Sequence, residues 1–168
     1  MDIVVVRHGI ALERDEAAKL AMADAERPLT EKGRRRMKRS ARGVAHLVPG
    51  AELVLSSPLL RAAETAKIVR RAYDGDVGYS EDGSLLPDAA PSDLAAALAD
   101  GPTAPIVVVV GHEPHLGRFV GWALTGQARE FVELEKGGAC LLSFEGAPGA
   151  GIGRLIWLLS PKQLRRVG

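Results

Sequence analysis

The sequence predicts an α/β fold of three layers, a mostly parallel mixed sheet with helices on both faces. Three observations predict it. Short apolar runs alternate with longer helical stretches, from Ile3–Val6 through Leu53–Leu55 to Ile106–Val110. Strand followed by helix is the rhythm of parallel sheets, whose strands are buried on both faces and read as unbroken apolar runs. The last two strand-like runs, Ala139–Phe144 and Ile152–Leu159, instead flank a turn-rich segment from Gly146 to Gly151, which predicts a hairpin and an antiparallel edge.

The elements follow in order. Ile3–Val6 is short enough for a buried strand and stops at Arg7-His8-Gly9. Residues 13–26, rich in Ala and charge, predict an irregular helical excursion. Pro28-Leu29-Thr30 then starts a helix over residues 31–47, with Thr30 as N-cap and Pro49-Gly50 as the stop. Met37, Ala41, Val44 and Leu47 or Val48 mark its inner side.

Leu53–Leu55 is a second buried strand, followed at once by Ser56-Ser57-Pro58. Proline is tolerated in a first helical turn, so a helix is expected from there to about Tyr73, burying Leu60, Ala63, Thr65 or Ala66, and Ile68-Val69. A short extended piece near Val77–Tyr79, the apolar pair Leu85-Leu86 and a small helix from Pro91 to Ala99 come next. Residues 101–105 read as a turn before the strongest strand, Ile106–Val110, which ends at Gly111-His112. A helix from Pro114 to Leu124 precedes the hairpin.

The 168 residues favour one domain, 1–168, large enough for a core that needs no disulfide or structural metal. A formal net charge of +1 gives no global reason to expect nucleic acid or a membrane as partner. The single cysteine, Cys140, excludes an intramolecular disulfide and suits a reducing compartment. The start reads as a strand, not a signal peptide, and no apolar run reaches spanning length, so the cytoplasm is the expected location.

Ligands of open α/β sheets collect at the carboxyl ends of the strands. Three strands here end in residues of one chemical flavour: Arg7 and His8, then Ser56-Ser57 with Arg61 one helical turn on, then His112. Singly, each has an ordinary structural explanation. If the strands are parallel neighbours, two histidines and two arginines converge on one pocket. Guanidiniums match phosphate oxygens with forked donors, and a neutral imidazole is a competent nucleophile. Positive charge nearby also keeps that imidazole unprotonated. Such a pocket suits phosphoryl transfer through a covalent phosphoenzyme.

These residues resemble the histidine phosphatase superfamily, which includes the cofactor-dependent phosphoglycerate mutases. The resemblance lies in Arg7-His8-Gly9, in the block Ser56-Ser57-Pro58-Leu59-Leu60-Arg61-Ala62-Ala63-Glu64-Thr65-Ala66, and in Gly111-His112-Glu113-Pro114. It implies a phosphoglycerate mutase-like fold and a phosphatase in which His8 is phosphorylated. Arg7 and Arg61 would then bind phosphoryl oxygens, His112 would donate a further hydrogen bond, and Gly9 would admit close backbone approach. It implies no cofactor.

Within the superfamily the chain is similar to the SixA-type phosphohistidine phosphatases. The first motif continues as Ile10-Ala11, and Arg27-Pro28-Leu29-Thr30-Glu31-Lys32-Gly33 and Ser160-Pro161-Lys162-Gln163-Leu164 look like SixA-type stretches. Residues 87–105 are all that separates Leu86 from the central strand, too few for the large lid of the mutases. The implied substrate is phosphohistidine on a protein, such as a histidine phosphotransfer domain. The alternatives are a phosphatase of small phosphomonoesters with the same four residues, and a non-catalytic phosphoprotein-binding module. Asp88, in the place where mutase-like members carry an acidic residue, is the candidate proton donor.

Other features have plainer readings. His112-Glu113-Pro114-His115 lacks the spacing of a zinc-protease helix, so no metal is expected, and His115 is placed at the pocket rim or the helix start. Residues 13–16 are further candidates for the rim. The arginine-rich stretch from Arg34 to Arg42 reads as a solvated helix face, with an acidic phosphotransfer domain as its natural partner if it has one. Trp122 and Trp157 are expected in packing roles and Cys140 as buried and inert.

Overall fold

A computed structural model describes residues 1–101, 104–130 and 132–168. Its sheet has six strands: β1 (Asp2–Arg7), β2 (Leu53–Ser56), β3 (Gly78–Glu81), β4 (Ile106–Gly111), β5 (Ala139–Ser143) and β6 (Arg154–Leu159). The spatial order is β3-β2-β4-β1-β5-β6. The first four are parallel, β5 runs antiparallel to β1, and β6 returns antiparallel to β5. The expected α/β fold and hairpin edge are both present. Part of the turn expected at residues 101–105 lies outside the described residues.

The helices are α1 (Arg14–Lys19), α2 (Glu31–Leu47), α3 (Leu60–Arg70), α4 (Pro91–Asp100), α5 (His115–Thr125) and α6 (Pro161–Val167). Alternate residues of each strand enter opposite layers, as the two-residue period requires. Val4, Val6, Val108 and Val110 pack with Met37, Ala41, Ala66 and Leu164 of α2, α3 and α6. Ile3, Val5, Val107 and Val109 pack with Leu94, Leu116 and Phe119 of α4 and α5. No helix among the described residues is long and apolar enough to cross a membrane.

Several local expectations shift. The helix expected from Pro58 to about Tyr73 begins at Leu60 and ends at Arg70, with Leu59 as N-cap. Leu60 is exposed, because Arg61, Ala62, Thr65 and Ala66 take the inner face. At the end of α2, Val48 is buried and Leu47 is not. Trp157 packs against one core layer, Trp122 stacks on Phe119 in the other, and Cys140 is buried.

Helix α6 was not anticipated. Ser160 Oγ accepts from Gln163 N at 3.3 Å while Gln163 Oε1 accepts from Ser160 N at 2.9 Å, a reciprocal cap with Pro161 at the first helical position. That Ser-Pro-x-Gln pattern was legible. Docking onto α2 makes so short a helix worthwhile, and it demands a glycine: a Cβ on Gly43 would lie 2.1 Å from Leu164 O.

Candidate active site

Strand register brings the motifs together. Arg7 of β1 lies beside Gly111 of β4, and Ser56 of β2 beside Val110. Each ladder continues one residue further, with His8 N donating to Gly111 O at 3.0 Å and Ser57 N donating to Val110 O at 2.9 Å. His8, Ser57 and His112 therefore leave the sheet at one level. The two imidazole centroids are 5.0 Å apart.

The His8 ring is oriented by its own loop. Its Nδ1 lies 2.8 Å from Gly9 O. A carbonyl only accepts, so Nδ1 carries the proton and Nε2 presents a lone pair. Gly9 N in turn donates to Thr65 Oγ1 at 3.0 Å, and Thr65 Oγ1 donates to Arg61 O one turn back along α3, at 2.7 Å. Burial is the main force that pushes His8 down to about 3, with Arg61 and Arg7 acting in the same direction against its bond to Gly9. The ring is neutral at physiological pH.

His112 is pushed down to about 2, first by burial and then by His8 and Arg61. Its Nε2 lies 2.8 Å from Ser57 Oγ, which also accepts from Leu59 N at 3.4 Å. A serine hydroxyl can donate or accept, and when it donates to Nε2 the proton of the ring lies on Nδ1. His112 Nδ1 is buried and has no partner among the described residues.

Both arginines show the same incompleteness. Arg61, 3% exposed, donates through Nη1 to Asp24 O at 2.8 Å and pairs through Nη2 with Asp24 Oδ2 at 3.1 Å. Arg7 donates through Nη1 to Leu134 O at 2.5 Å and lies 3.6 Å from Glu133. The Nε atoms of both are buried without an acceptor among the described residues. Buried polar nitrogens are nearly always paired, so three unpaired ones beside one neutral imidazole need an account. Phosphoryl oxygens would supply it.

Further residues build this frame. Glu64 accepts from Leu29 N and Arg34 Nη2, both at 2.7 Å, and so fastens the Arg27–Gly33 stretch to α3. Thr30 caps α2 through Gly33 N at 2.9 Å, as expected, and also donates to Ile10 O at 3.2 Å. Glycine is required there, since a Cβ on Gly33 would lie 2.0 Å from Ile10 O. Glu113 accepts from Gly117 N at 3.0 Å and Leu134 N at 2.9 Å, fixing the segment whose carbonyl holds Arg7.

The sequence reading places Ser57 at a strand end and Thr65 or Ala66 on a buried helix face, but gives neither a role in the site and gives none to Glu64 or Glu113, although all lie inside the quoted motifs. It also missed Asp24, which only its place three residues before Arg27 could have suggested. Asp88 sits in an exposed turn and makes no ion pair among the described residues. His115 starts α5 but is fully buried, so it does not form a rim. Of residues 13–16, Glu13 pairs with Lys136 and Arg14 with Asp24. Among the described residues no group of three or more His, Cys, Asp or Glu is placed to hold a metal ion.

Residues 3–82 match the model of the histidine phosphatase superfamily (branch 1). This chain belongs to that superfamily. The histidine phosphatase is 36% identical over 140 residues to an uncharacterised protein of Picosynechococcus sp., covering 82% of each chain. Its fold is similar to that of the protein histidine phosphatase SixA complexed with tungstate, with a TM-score of 0.81, 24% identity and coverage of 98% and 99% of the two chains. It is also similar to that of the alpha-ribazole phosphatase from Shigella flexneri, with a TM-score of 0.73, 16% identity and coverage of 96% and 97%.

Proposed function

We propose that this histidine phosphatase, read as one domain over residues 1–168, hydrolyses phosphohistidine on a protein through a phosphoryl group carried on His8. His8 Nε2 attacks phosphorus, the N–P bond of the substrate breaks, and the departing imidazole takes a proton. Water then attacks phospho-His8, the Nε2–P bond breaks and inorganic phosphate leaves. Arg7, Arg61 and His112 hold the phosphoryl oxygens, where charge builds up in both steps.

The observation that carries this reading is the trio of buried nitrogens on those three residues, without a partner among the described residues, near the neutral His8 ring. A mere phosphate-binding module would have no use for an oriented, unprotonated nucleophile. For a protein substrate the support is the short connection after β3. It holds a 3-10 turn and α4, whose Leu94 and Leu98 pack into the α5 layer instead of over the strand ends.

An imidazole leaving group also asks less of a proton donor than an alkoxide. Asp24 is a poor one, since Arg27 and Arg61 hold its carboxyl below the usual range in spite of burial. Asp88 is the acid that the turn before α4 offers for this step. A cytoplasmic location goes with the reading.

The second reading, a phosphatase of small phosphomonoesters, draws on the likeness to the alpha-ribazole phosphatase fold. Phosphate release from a phosphohistidine-bearing phosphotransfer domain and from an aryl phosphate, at matched concentrations, separates the two. Faster release from the domain, lost in His8→Ala, is expected. Release from the aryl ester alone would move the substrate to small phosphomonoesters. Turnover surviving in His8→Ala would remove the covalent step.

A further inference from the structure

A cleft of about 510 Å³ opens between α2 and α6, next to the candidate active site, with Arg7 and Gly9 among its lining residues. Arg36 lines it from α2, and Lys162 and Arg165 from α6. Arg39, one turn beyond Arg36, approaches the same place, its Nη2 3.5 Å from Arg165 O.

Arg14, Arg27, Arg34, Arg61, Arg70, Arg118 and Arg154 each pair with a carboxylate. Among the described residues Arg36, Arg39 and Arg165 have no carboxylate partner, nor have Arg35, Arg42, Arg71, Arg129 and Arg166, but two helices gather the first three beside the cleft. Arg165 is held below its ordinary value, first by burial and then by Arg36 and Arg39, with Glu135 opposing. Crowding like charges at a helix–helix contact costs stability. An external anion would repay it.

We propose that this cleft and its arginine rim are the docking surface for an acidic protein that carries the phosphohistidine substrate. The proposal rests on the function proposed above. With the body of the partner against α2 and α6, its phosphorylated side chain reaches past Arg7 to His8.

Two features favour a protein over nucleic acid. The cleft adjoins a site read as breaking an N–P bond, which a protein phosphohistidine supplies and a nucleic acid does not. Its wall also carries Glu133 and Glu135, which would repel a continuous phosphate backbone but can face the mixed charges of a protein. A small phosphoester would not need a rim that extends a helical turn beyond the cleft, roughly 5 Å.

The test uses the full chain and the triple variant R36Q/R39Q/R165Q. A phosphohistidine-bearing phosphotransfer domain with an acidic surface is one substrate, and phosphoramidate is the other. The expected result is a loss in kcat/KM of about tenfold or more on the domain, with a weaker salt dependence, because surface charge acts mainly through association. Phosphoramidate turnover is expected to stay within about twofold, which also shows that the variant folds.

Equal turnover of the domain by both proteins would overturn the docking face alone. No turnover of the domain by the wild type, with phosphoramidate still consumed, would overturn the protein-substrate reading and the docking face with it. Tighter binding of a single-stranded RNA than of the domain, lost in the triple variant, would reassign the patch to nucleic acid.

Discussion

Asp24 holds Arg61 by two contacts of different kinds, a backbone carbonyl 2.8 Å from Nη1 and a carboxylate oxygen 3.1 Å from Nη2. The carbonyl contact survives a change of side chain, so Asp24→Asn keeps Arg61 in place while removing an anion next to the phosphate seat. Inorganic phosphate is expected to inhibit Asp24→Asn several-fold more strongly than the wild type. An unchanged or weaker inhibition would show that the carboxylate positions Arg61 more than it competes with the ligand.

Thr65 links the nucleophile loop to α3 through one hydroxyl, which accepts from Gly9 N and donates to Arg61 O. Thr65→Val keeps the shape but strands a buried N–H, which costs about 1–3 kcal/mol. Because the Gly9 carbonyl orients His8, kcat is expected to fall as well. Thr65→Ser restores the hydroxyl and should recover most of both. Urea unfolding and steady-state kinetics of the two variants check this, and a valine variant with wild-type kcat would remove the orienting role.

Stability should depend on pH in a window set by the buried imidazoles of His8, His112 and His115, all held down by burial. Unfolded histidines titrate near 6.5, whereas His8 and His112 are pushed down to about 3 and about 2 in the fold. Between those values the unfolded chain binds more protons, so stability is fully present above about 6.5 and is lost as pH falls toward 3. Each histidine contributes a slope on the order of 1.4 kcal/mol per pH unit. Urea midpoints should therefore drop from pH 7 to pH 5, and less steeply in His112→Gln. The His8 C2–H resonance should not titrate between pH 8 and pH 5; a shift centred near 6.5 would contradict the burial argument.

Much of the fold and most of the site could be read along the chain. The apolar runs at Ile3, Leu53 and Ile106 announced buried strands, and their polar ends announced the site, because both signals are local. Thr30 was legible as a cap for the same reason. Helix α6 was legible in principle through Ser160 and Gln163, but a helix that short gains its stability from docking on α2.

The sequence by itself determined the buried strands β1, β2 and β4 and the four residues Arg7, His8, Arg61 and His112 that converge at the strand ends. Tertiary structure alone decided which groups finish each of them: Thr65 for the His8 loop, Ser57 for His112, Asp24 for Arg61, Leu134 and Glu133 for Arg7. Periodicity reports which side of an element faces the core, since it reflects the geometry of a few neighbouring residues. A hydrogen bond between residues as far apart as 7 and 134 depends on the path of every loop between them, and no short-range pattern carries that information.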